Sequence, residues 1–100
     1  MHGTVDGTAY TVVGTGEPVV LVHGVGMTQA VWEPQVDCLA RNHQVIVYDV
    51  LGHGASRDPN QNVELTDYAD QLLHLLDHLQ VDQASVVGHS MGALITIEFA

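Results

Sequence analysis

A serine between two glycines, at the junction of an apolar β-type run and an apolar helical segment, is the arrangement in this sequence best suited to covalent chemistry. The Gly-x-Ser-x-Gly pentapeptide from Gly88 to Gly92 follows the run Ala84 to Val87 and precedes the segment Ala93 to Ala100. Strand, sharp turn and helix in this order are typical of a nucleophile elbow, which forces the serine to positive φ and exposes its hydroxyl. The pattern therefore predicts that Ser90 is a catalytic nucleophile.

The residues around Ser90 have physical roles in such a turn. Gly88 and Gly92 lie where the backbone crosses itself, so a side chain at either position would push strand and helix apart. The amide of Met91, at the helix N-terminus, is expected to point toward the oxygen of the carbonyl that the serine attacks. His89 is expected to orient packing beside the nucleophile. The alternative is a glycine turn capped by an ordinary serine.

Composition indicates one folded domain with a strongly acidic surface. The chain has 100 residues, of which 46% are hydrophobic and 14% charged, as in globular proteins. Two basic residues stand against 12 acidic ones, for a formal charge of −10. Such a field repels phosphate backbones and anionic lipid headgroups, which excludes nucleic acid and membrane surfaces as expected partners.

Cysteine usage and the N-terminus point to a cytoplasmic location. The single cysteine, Cys38, has no internal disulfide partner and is expected to be a small buried side chain in a reducing compartment. Met1 to Thr4 lack the basic start and apolar run of a signal peptide, and no apolar stretch approaches the roughly 20 residues of a membrane span.

The first half of the chain predicts a hairpin, a buried strand and a helix. Asp6-Gly7, between β-prone residues of the segment His2 to Val13, is the signal of a type I′ hairpin. Val19 to Val22 is an unbroken apolar run, typical of a strand that is buried on both faces. The segment Thr28 to Arg41 is predicted to be helical and to be interrupted early by Pro34.

The second half predicts two further strand and helix pairs. Gln44 to Tyr48 is a strand, and a loop extends from Asp49 to about Asn62. A helix begins with Thr66 as N-cap. Its apolar positions form one expected buried face: Leu65, Tyr68, Ala69, Leu72, Leu73, Leu76 and Leu79. With the elbow strand and helix, this order predicts an α/β fold with a mostly parallel sheet, flanking helices and an N-terminal antiparallel hairpin.

The chain resembles the N-terminal half of an α/β-hydrolase, of the kind seen in small esterases, enol-lactonases, C–C bond hydrolases and cofactor-free haloperoxidases. Three motifs in the family's order carry the resemblance: His23-Gly24, Asp49 through Ser56, and Gly88 to Gly92. The family often has Arg or Pro where this chain has Leu51. The resemblance implies strand order 1-2-4-3-5, with the second hairpin strand antiparallel to the parallel strands.

The resemblance also implies roles for individual residues. His23 and Gly24 belong to an oxyanion loop, and the backbone amide of Val25 joins that of Met91 in an oxyanion hole, each donor worth on the order of 3 kcal/mol. The loop from Asp49 to Ser56 is expected to be architectural, tied by side-chain-to-backbone bonds. The implied reaction is hydrolysis of a small ester, lactone or related carbonyl compound through an acyl-enzyme, with no metal and no cofactor.

The rest of a catalytic triad is absent from this sequence. In the family the acid and the histidine follow the serine in the chain. After Ser90 the sequence has one carboxylate, Glu98, and no histidine. Residues 1–100 are therefore expected to be the N-terminal portion of a single hydrolase domain, cut off after the nucleophile helix and inactive alone, with the C-terminal half of the domain as its partner.

Three other interpretations are open. His74 and His78 have zinc-ligand spacing, i and i+4, but share their helix face with Asp67, Asp70 and Gln71, which favours a solvated face. A nucleotide-binding module would use Gly24 and Gly26 after a strand and Asp49 after the next, but Gln29 stands where its third glycine belongs. The third is a hydrolase-fold domain that binds a ligand without turnover. Trp32 is expected either at the entrance of a site or packed in the core.

Overall fold

The structure of the protein is a computed structural model that describes residues 1–59 and 62–100. Asn60 and Gln61, in the predicted loop to Asn62, lie outside the described residues. The described residues form one five-stranded sheet. Its strands are β1 (His2–Val5), β2 (Thr8–Val13), β3 (Glu17–Val22), β4 (His43–Tyr48) and β5 (Ser85–Gly88).

The sheet has the order β1-β2-β4-β3-β5, which confirms the predicted order. β2 is antiparallel to both β1 and β4, whereas β3 is parallel to β4 on one side and to β5 on the other. The predicted type I′ hairpin is present, because Asp6 (φ 49°) and Gly7 (φ 76°) both have positive φ between β1 and β2. β5 lies at one edge of the sheet that the described residues form.

Helices connect the parallel strands. They are a 3₁₀ turn, Gln29–Trp32, and the α-helices α1 (Glu33–Leu39), α2 (Leu65–His78) and α3 (Met91–Phe99). The helix predicted from Thr28 to Arg41 is thus divided in two. The Thr28 hydroxyl caps the 3₁₀ turn, and Pro34 lies in the first turn of α1, where a missing N–H is tolerated. Pro34 therefore helps to start α1 and does not interrupt it.

The start of α2 differs from the prediction of Thr66 as its N-cap. The N-cap is Glu64, in a capping box with Asp67: the Glu64 N–H donates to Asp67 Oδ2 at 2.9 Å, and the Glu64 side chain accepts from the backbone of Asp67. An acidic residue replaces the usual Ser or Thr of this motif, and the helix dipole favours both negative charges at the N-terminus. The prediction was wrong by two residues because Glu64 is not a typical cap.

Side chains pack on both faces of the sheet. One face carries the larger cluster, in which α2 and α3 cover the strands with Leu72, Leu75 and Ile95. The other face carries a smaller cluster of Val19, Leu21, Val45 and Val47, against which α1 and the 3₁₀ turn pack. Within the described residues, no helix is both long and apolar enough to cross a membrane.

The buried face of α2 is rotated from the one predicted. Leu73 is 44% exposed although it was expected in the core, and Leu75, which was not, is fully buried. Gln71, expected on the solvated face, is only 6% exposed. The rotation places a polar side chain next to the carboxyl end of β4, which matters for the site described below.

Candidate active site

Ser90 lies at the junction of β5 and α3 with an exposed side chain. Its backbone has φ 58° and ψ −119°, the positive φ that the elbow sequence predicts, and α3 begins at the next residue. A β-carbon at Gly88 would collide with the backbone of Gly92 and Ala93, and one at Gly92 with the carbonyl of Val22. Only hydrogen fits at both glycines, so the backbone crossing itself holds Ser90 in a strained conformation.

The loop after β3 packs directly against the elbow. A β-carbon at Gly24 would lie 3.0 Å from Cβ of Ser90 and 3.1 Å from the carbonyl oxygen of His89. The His89 N–H also donates to the carbonyl of Val22 at 3.0 Å. The absence of a side chain at Gly24 therefore lets two loops that are distant in sequence meet at the serine.

The two amides assigned to an oxyanion hole flank this contact. Val25 follows Gly24 and Met91 follows Ser90, so both amides belong to the two backbones that meet at the serine. Among residues 1–59 and 62–100, neither amide donates to a hydrogen-bond acceptor. Unpaired N–H groups at a helix N-terminus and in a facing loop form an environment suited to a developing negative charge.

His23 is fully buried and both of its ring nitrogens are engaged. Nε2 accepts from the Val50 N–H at 2.9 Å, so the ring proton lies on Nδ1, which donates to the Gly24 carbonyl at 2.8 Å. Burial lowers the pKa of His23, more than its bond to Gly24 raises it, and nearby His53 lowers it further. The neutral imidazole thus fixes the loop after β3 to the end of β4 and has no free nitrogen for use as a general base.

His53 supports the same loop from its outer side. Its Nε2 accepts from the Gly26 N–H at 3.1 Å, and Nδ1 donates to the Leu51 carbonyl at 3.0 Å. The rings of His53 and His23 are tilted against each other with centroids 5.2 Å apart. We did not identify His53 from the sequence; the available signal was an aromatic ring between two turn glycines, Gly52 and Gly54.

Comparison with known proteins agrees with this geometry. Residues 17–100 match the family described as alpha/beta hydrolase fold. The chain belongs to this family. Its match covers β3, β4, β5 and all three helices, and so includes the three motifs on which the sequence resemblance rests.

Hydrolases of several kinds are among the relatives. An (E)-2-((N-methylformamido)methylene)succinate hydrolase of Acinetobacter baylyi is 40% identical over 83 residues, which cover 83% of this chain and 32% of that protein. A thermophilic esterase from Thermogutta terrifontis has 34% identity and a TM-score of 0.90, over 93% of this chain and 35% of its own. The enol-lactonase from Burkholderia xenovorans LB400 has 30% identity and a TM-score of 0.91, and the match covers 100% of this chain and 41% of the lactonase chain. This chain spans about a third of the length of these proteins.

The turn after β4 is held together by side-chain-to-backbone bonds, as predicted for the loop from Asp49 to Ser56. The Asp49 carboxylate accepts from the Ala55 N–H at 3.0 Å and from the Gln29 N–H at 2.8 Å. The Ser56 hydroxyl donates to the Asp49 carbonyl and accepts from the Ala9 N–H. Both Asp49 oxygens are thus used by the fold, which removes the acidic group that a nucleotide-binding module would need at this position.

Gln71 ties α2 to the same turn. Its Oε1 accepts from the Leu51 N–H at 3.0 Å, and its Nε2 donates to the Asp49 carbonyl and the Thr8 hydroxyl, both at 3.1 Å. These bonds account for the burial of a side chain expected in solvent. Gln71 therefore fixes the turn that contains His53, the residue that supports the loop beside the serine.

The remaining candidates are not part of the elbow. His74 and His78 are exposed on α2, and the His78 ring meets Tyr10 edge-on at 6.1 Å. Across residues 1–59 and 62–100, no group of three or more His, Cys, Asp or Glu side chains is placed to hold a metal ion. Cys38 is exposed, so its expected burial was wrong. Trp32 is half-buried and packs against the smaller cluster.

Proposed function

We propose that this chain supplies the nucleophile and the oxyanion hole of a serine hydrolase that acts on an ester, lactone or related carbonyl compound through an acyl-enzyme. The observation that carries the proposal is Ser90, exposed at positive φ, with the Gly24 backbone packed against its β-carbon. We propose that this hydroxyl and the unpaired amides of Val25 and Met91 act on the same substrate carbonyl group. The family of the chain supports a small-molecule substrate.

The proposed reaction begins when Ser90 Oγ attacks the substrate carbonyl carbon and its proton passes to a general base. The carbonyl oxygen becomes an oxyanion, which the amides of Val25 and Met91 stabilise by on the order of 3 kcal/mol per donor. Collapse breaks the bond to the leaving group, which takes the proton from the base. Water, whose proton the same base takes, then attacks the acyl carbon. The bond between that carbon and Ser90 Oγ breaks, Oγ takes the proton back from the base, and the acid is released.

We propose that the general base and its acid come from a C-terminal half of the same domain, which this chain contacts through β5 and α3. The 32% share of the Acinetobacter hydrolase that the chain matches supports a longer domain. The surface supports it as well: Val87 on β5 is 45% exposed, and Leu94 and Ile97 on α3 are 56% and 73% exposed. Apolar exposure of this extent beside a sheet edge is typical of a covered interface.

The test uses a fluorophosphonate probe on the native protein that carries this chain. Peptide mapping should find the phosphonate on Ser90, and Ser90→Ala should abolish labelling and lower turnover of a simple ester by up to about 10⁶-fold. The matched control is Ser85→Ala, which removes a hydroxyl from an exposed residue at the start of β5, the strand that leads to the elbow, and should change neither.

Two results would contradict the proposal. One is labelling at a different residue, with Ser90→Ala still active. The other is a protein that binds small carbonyl ligands but neither reacts with the probe nor hydrolyses any ester, which would identify a hydrolase-fold domain that binds without turnover.

A further inference from the structure

A cleft of about 160 Å³ opens between the 3₁₀ turn, the start of α1 and the elbow. Five side chains line it: Met27, Val31, Trp32, Gln35 and His89. Three of them are apolar, and the other two carry an amide and an imidazole.

The cleft begins beside the serine. His89 precedes Ser90 in the elbow, and its Nδ1 would lie 3.4 Å from a β-carbon at Gly24, the residue that packs against Ser90. Met27, which lines the cleft as well, donates its backbone N–H to the Gly24 carbonyl at 3.2 Å. Two of the lining residues, His89 and Met27, are therefore close to Gly24. A group bound in the cleft would therefore lie against His89, the residue that precedes Ser90.

The volume of the cleft is sufficient for a small apolar group. An enclosed apolar cavity of about 150 Å³ holds a benzene molecule. The present cleft has a similar volume, is open to solvent on one side, and offers the side chains of Trp32, Met27 and Val31 as contact surface. It therefore accommodates a phenyl ring or an alkyl group of similar size.

The charge of the cleft sets the chemistry of the group. No Asp, Glu, Lys or Arg lines it, and the chain as a whole has a formal charge of −10. A substrate carboxylate placed there would lose part of its hydration and would form no ion pair with the lining residues. The net negative charge of the chain would also repel it. The amide of Gln35 can donate to or accept from an uncharged polar atom at the rim.

We propose that this cleft is the subsite for an uncharged, benzene-sized substituent of the ester or lactone. The inference rests on the proposed function, since it names the substrate class of the same site. Selectivity for an apolar group comes from contact with Met27, Val31 and Trp32. Gln35 has no charge that could pair with a charged substituent.

The size prediction is tested by filling the cleft. In the native protein that carries this chain, kcat/KM is measured for methyl acetate, methyl phenylacetate and benzyl acetate. Val31→Phe should lower kcat/KM at least about tenfold for one of the two phenyl-bearing esters, and kcat/KM for methyl acetate should stay within about twofold of wild type. Val13→Phe, at an exposed valine outside the cleft, should change none of the three. An equal loss on all three esters, or no loss, would overturn the subsite.

The charge prediction is tested by placing a cation in the cleft. The wild type should prefer methyl phenylacetate to its 4-carboxy derivative by at least about tenfold, and Gln35→Arg should reduce that preference. Gln83→Arg adds the same charge at an exposed position that does not line the cleft and should leave the preference intact. A wild type that prefers the carboxylate, or an equal effect of both variants, would contradict the inference.

A binding measurement separates this inference from the proposed function. Ser90→Ala protein should bind phenylacetamide in saturation-transfer NMR, and Val31→Phe in that background should weaken binding whereas Val13→Phe should not. If the probe labels Ser90 but Val31→Phe alters neither binding nor selectivity, the proposed subsite is wrong and the proposed hydrolase function is supported. If Ser90 stays unlabelled while binding depends on Val31, the subsite is supported and the proposed hydrolase function is wrong.

Discussion

The imidazole of His53 accepts a hydrogen bond from the backbone N–H of Gly26 at 3.1 Å, across 27 residues of sequence. Gly26 follows Val25, whose amide we propose as an oxyanion donor, so His53 sets the position of that donor from outside the site. The ring also donates to the Leu51 carbonyl, which fixes its orientation. A turn that looks purely architectural thereby determines the geometry of the loop beside Ser90.

Replacement of His53 should therefore reduce catalysis more than binding. His53→Phe keeps a ring against His23 but loses both hydrogen bonds, and we expect kcat to fall by about 10- to 100-fold with little change in KM, because a misplaced donor weakens only transition-state stabilisation. His53→Gln retains an acceptor for Gly26 and should recover part of the loss. His74→Phe, at an exposed histidine of α2, is the control. Equal losses in His53→Phe and His53→Gln, or a rise in KM alone, would argue against this positioning role.

Much of the fold follows from local patterns. Asp6-Gly7 predicts its hairpin because a type I′ turn needs two consecutive residues at positive φ, and few residue pairs other than Asp-Gly and Asn-Gly tolerate that conformation. The elbow at Ser90 is predictable for the same reason: its glycines are required by backbone contacts of the turn itself. The strand order came from the resemblance to a family, because residue spacing alone does not determine which strands become neighbours.

What could not be predicted depends on partners that are distant in sequence. Gln71 is polar and lies on the flank of an amphipathic helix. Its burial is favourable because its amide bonds to the Leu51 N–H, the Asp49 carbonyl and the Thr8 hydroxyl, which all come from other elements. His53 is missed for the same reason, since its partner Gly26 belongs to another loop. Most of these partners are backbone groups, which carry no signature in the sequence.

Loss of the Gln71 amide should destabilise the protein. Gln71→Leu leaves the Leu51 N–H buried without a partner and removes one of the two hydrogen bonds to the Asp49 carbonyl, which still accepts from the Ser56 hydroxyl. We therefore expect the free energy of unfolding to fall by roughly 1 to 3 kcal/mol. Urea unfolding measures the loss. Gln83→Leu, which makes the same change at an exposed position, should stay within about 0.5 kcal/mol of wild type. If the two variants were equally stable, the bonds of Gln71 would contribute nothing net to folding.

His23 should make stability depend on pH. Burial lowers its pKa in the folded state, so the unfolded chain binds the proton more tightly and stability rises with pH in the window between the two values. The contribution is complete above the ordinary histidine pKa of about 6.5 and is lost progressively as pH falls below it.

Two measurements check this prediction. The free energy of unfolding should decrease from about pH 8 to about pH 5.5, and His23→Gln should remove part of that slope whereas Gln83→Ala, at an exposed residue that does not titrate, removes none. In wild-type protein, NMR titration of the His23 ring should give a pKa below the ordinary histidine value of about 6.5. A His23 pKa at or above that value would show that the buried ring is not held neutral.

The exposed apolar side chains of α3 lead to the last prediction, which concerns residues 1–100 as an isolated polypeptide. Leu94 and Ile97 are 56% and 73% exposed, next to the β5 edge, so this polypeptide should bind a hydrophobic dye and self-associate by light scattering. It should hydrolyse a p-nitrophenyl ester no faster than its Ser90→Ala variant, because His23 and His53 have no free ring nitrogen to act as a base.

Charge placed on α3 should suppress this association. The double variant Leu94→Glu with Ile97→Lys keeps the net charge constant and removes the apolar contact, so it should shift the scattering toward the monomer. Thr66→Glu with Gln83→Lys introduces the same pair of charges at exposed positions on or after α2 and should leave association unchanged. A monodisperse wild-type polypeptide with Ser90-dependent turnover would contradict the expectation. It would mean that α3 needs no covering surface and that His89, beside the serine, acts as the base.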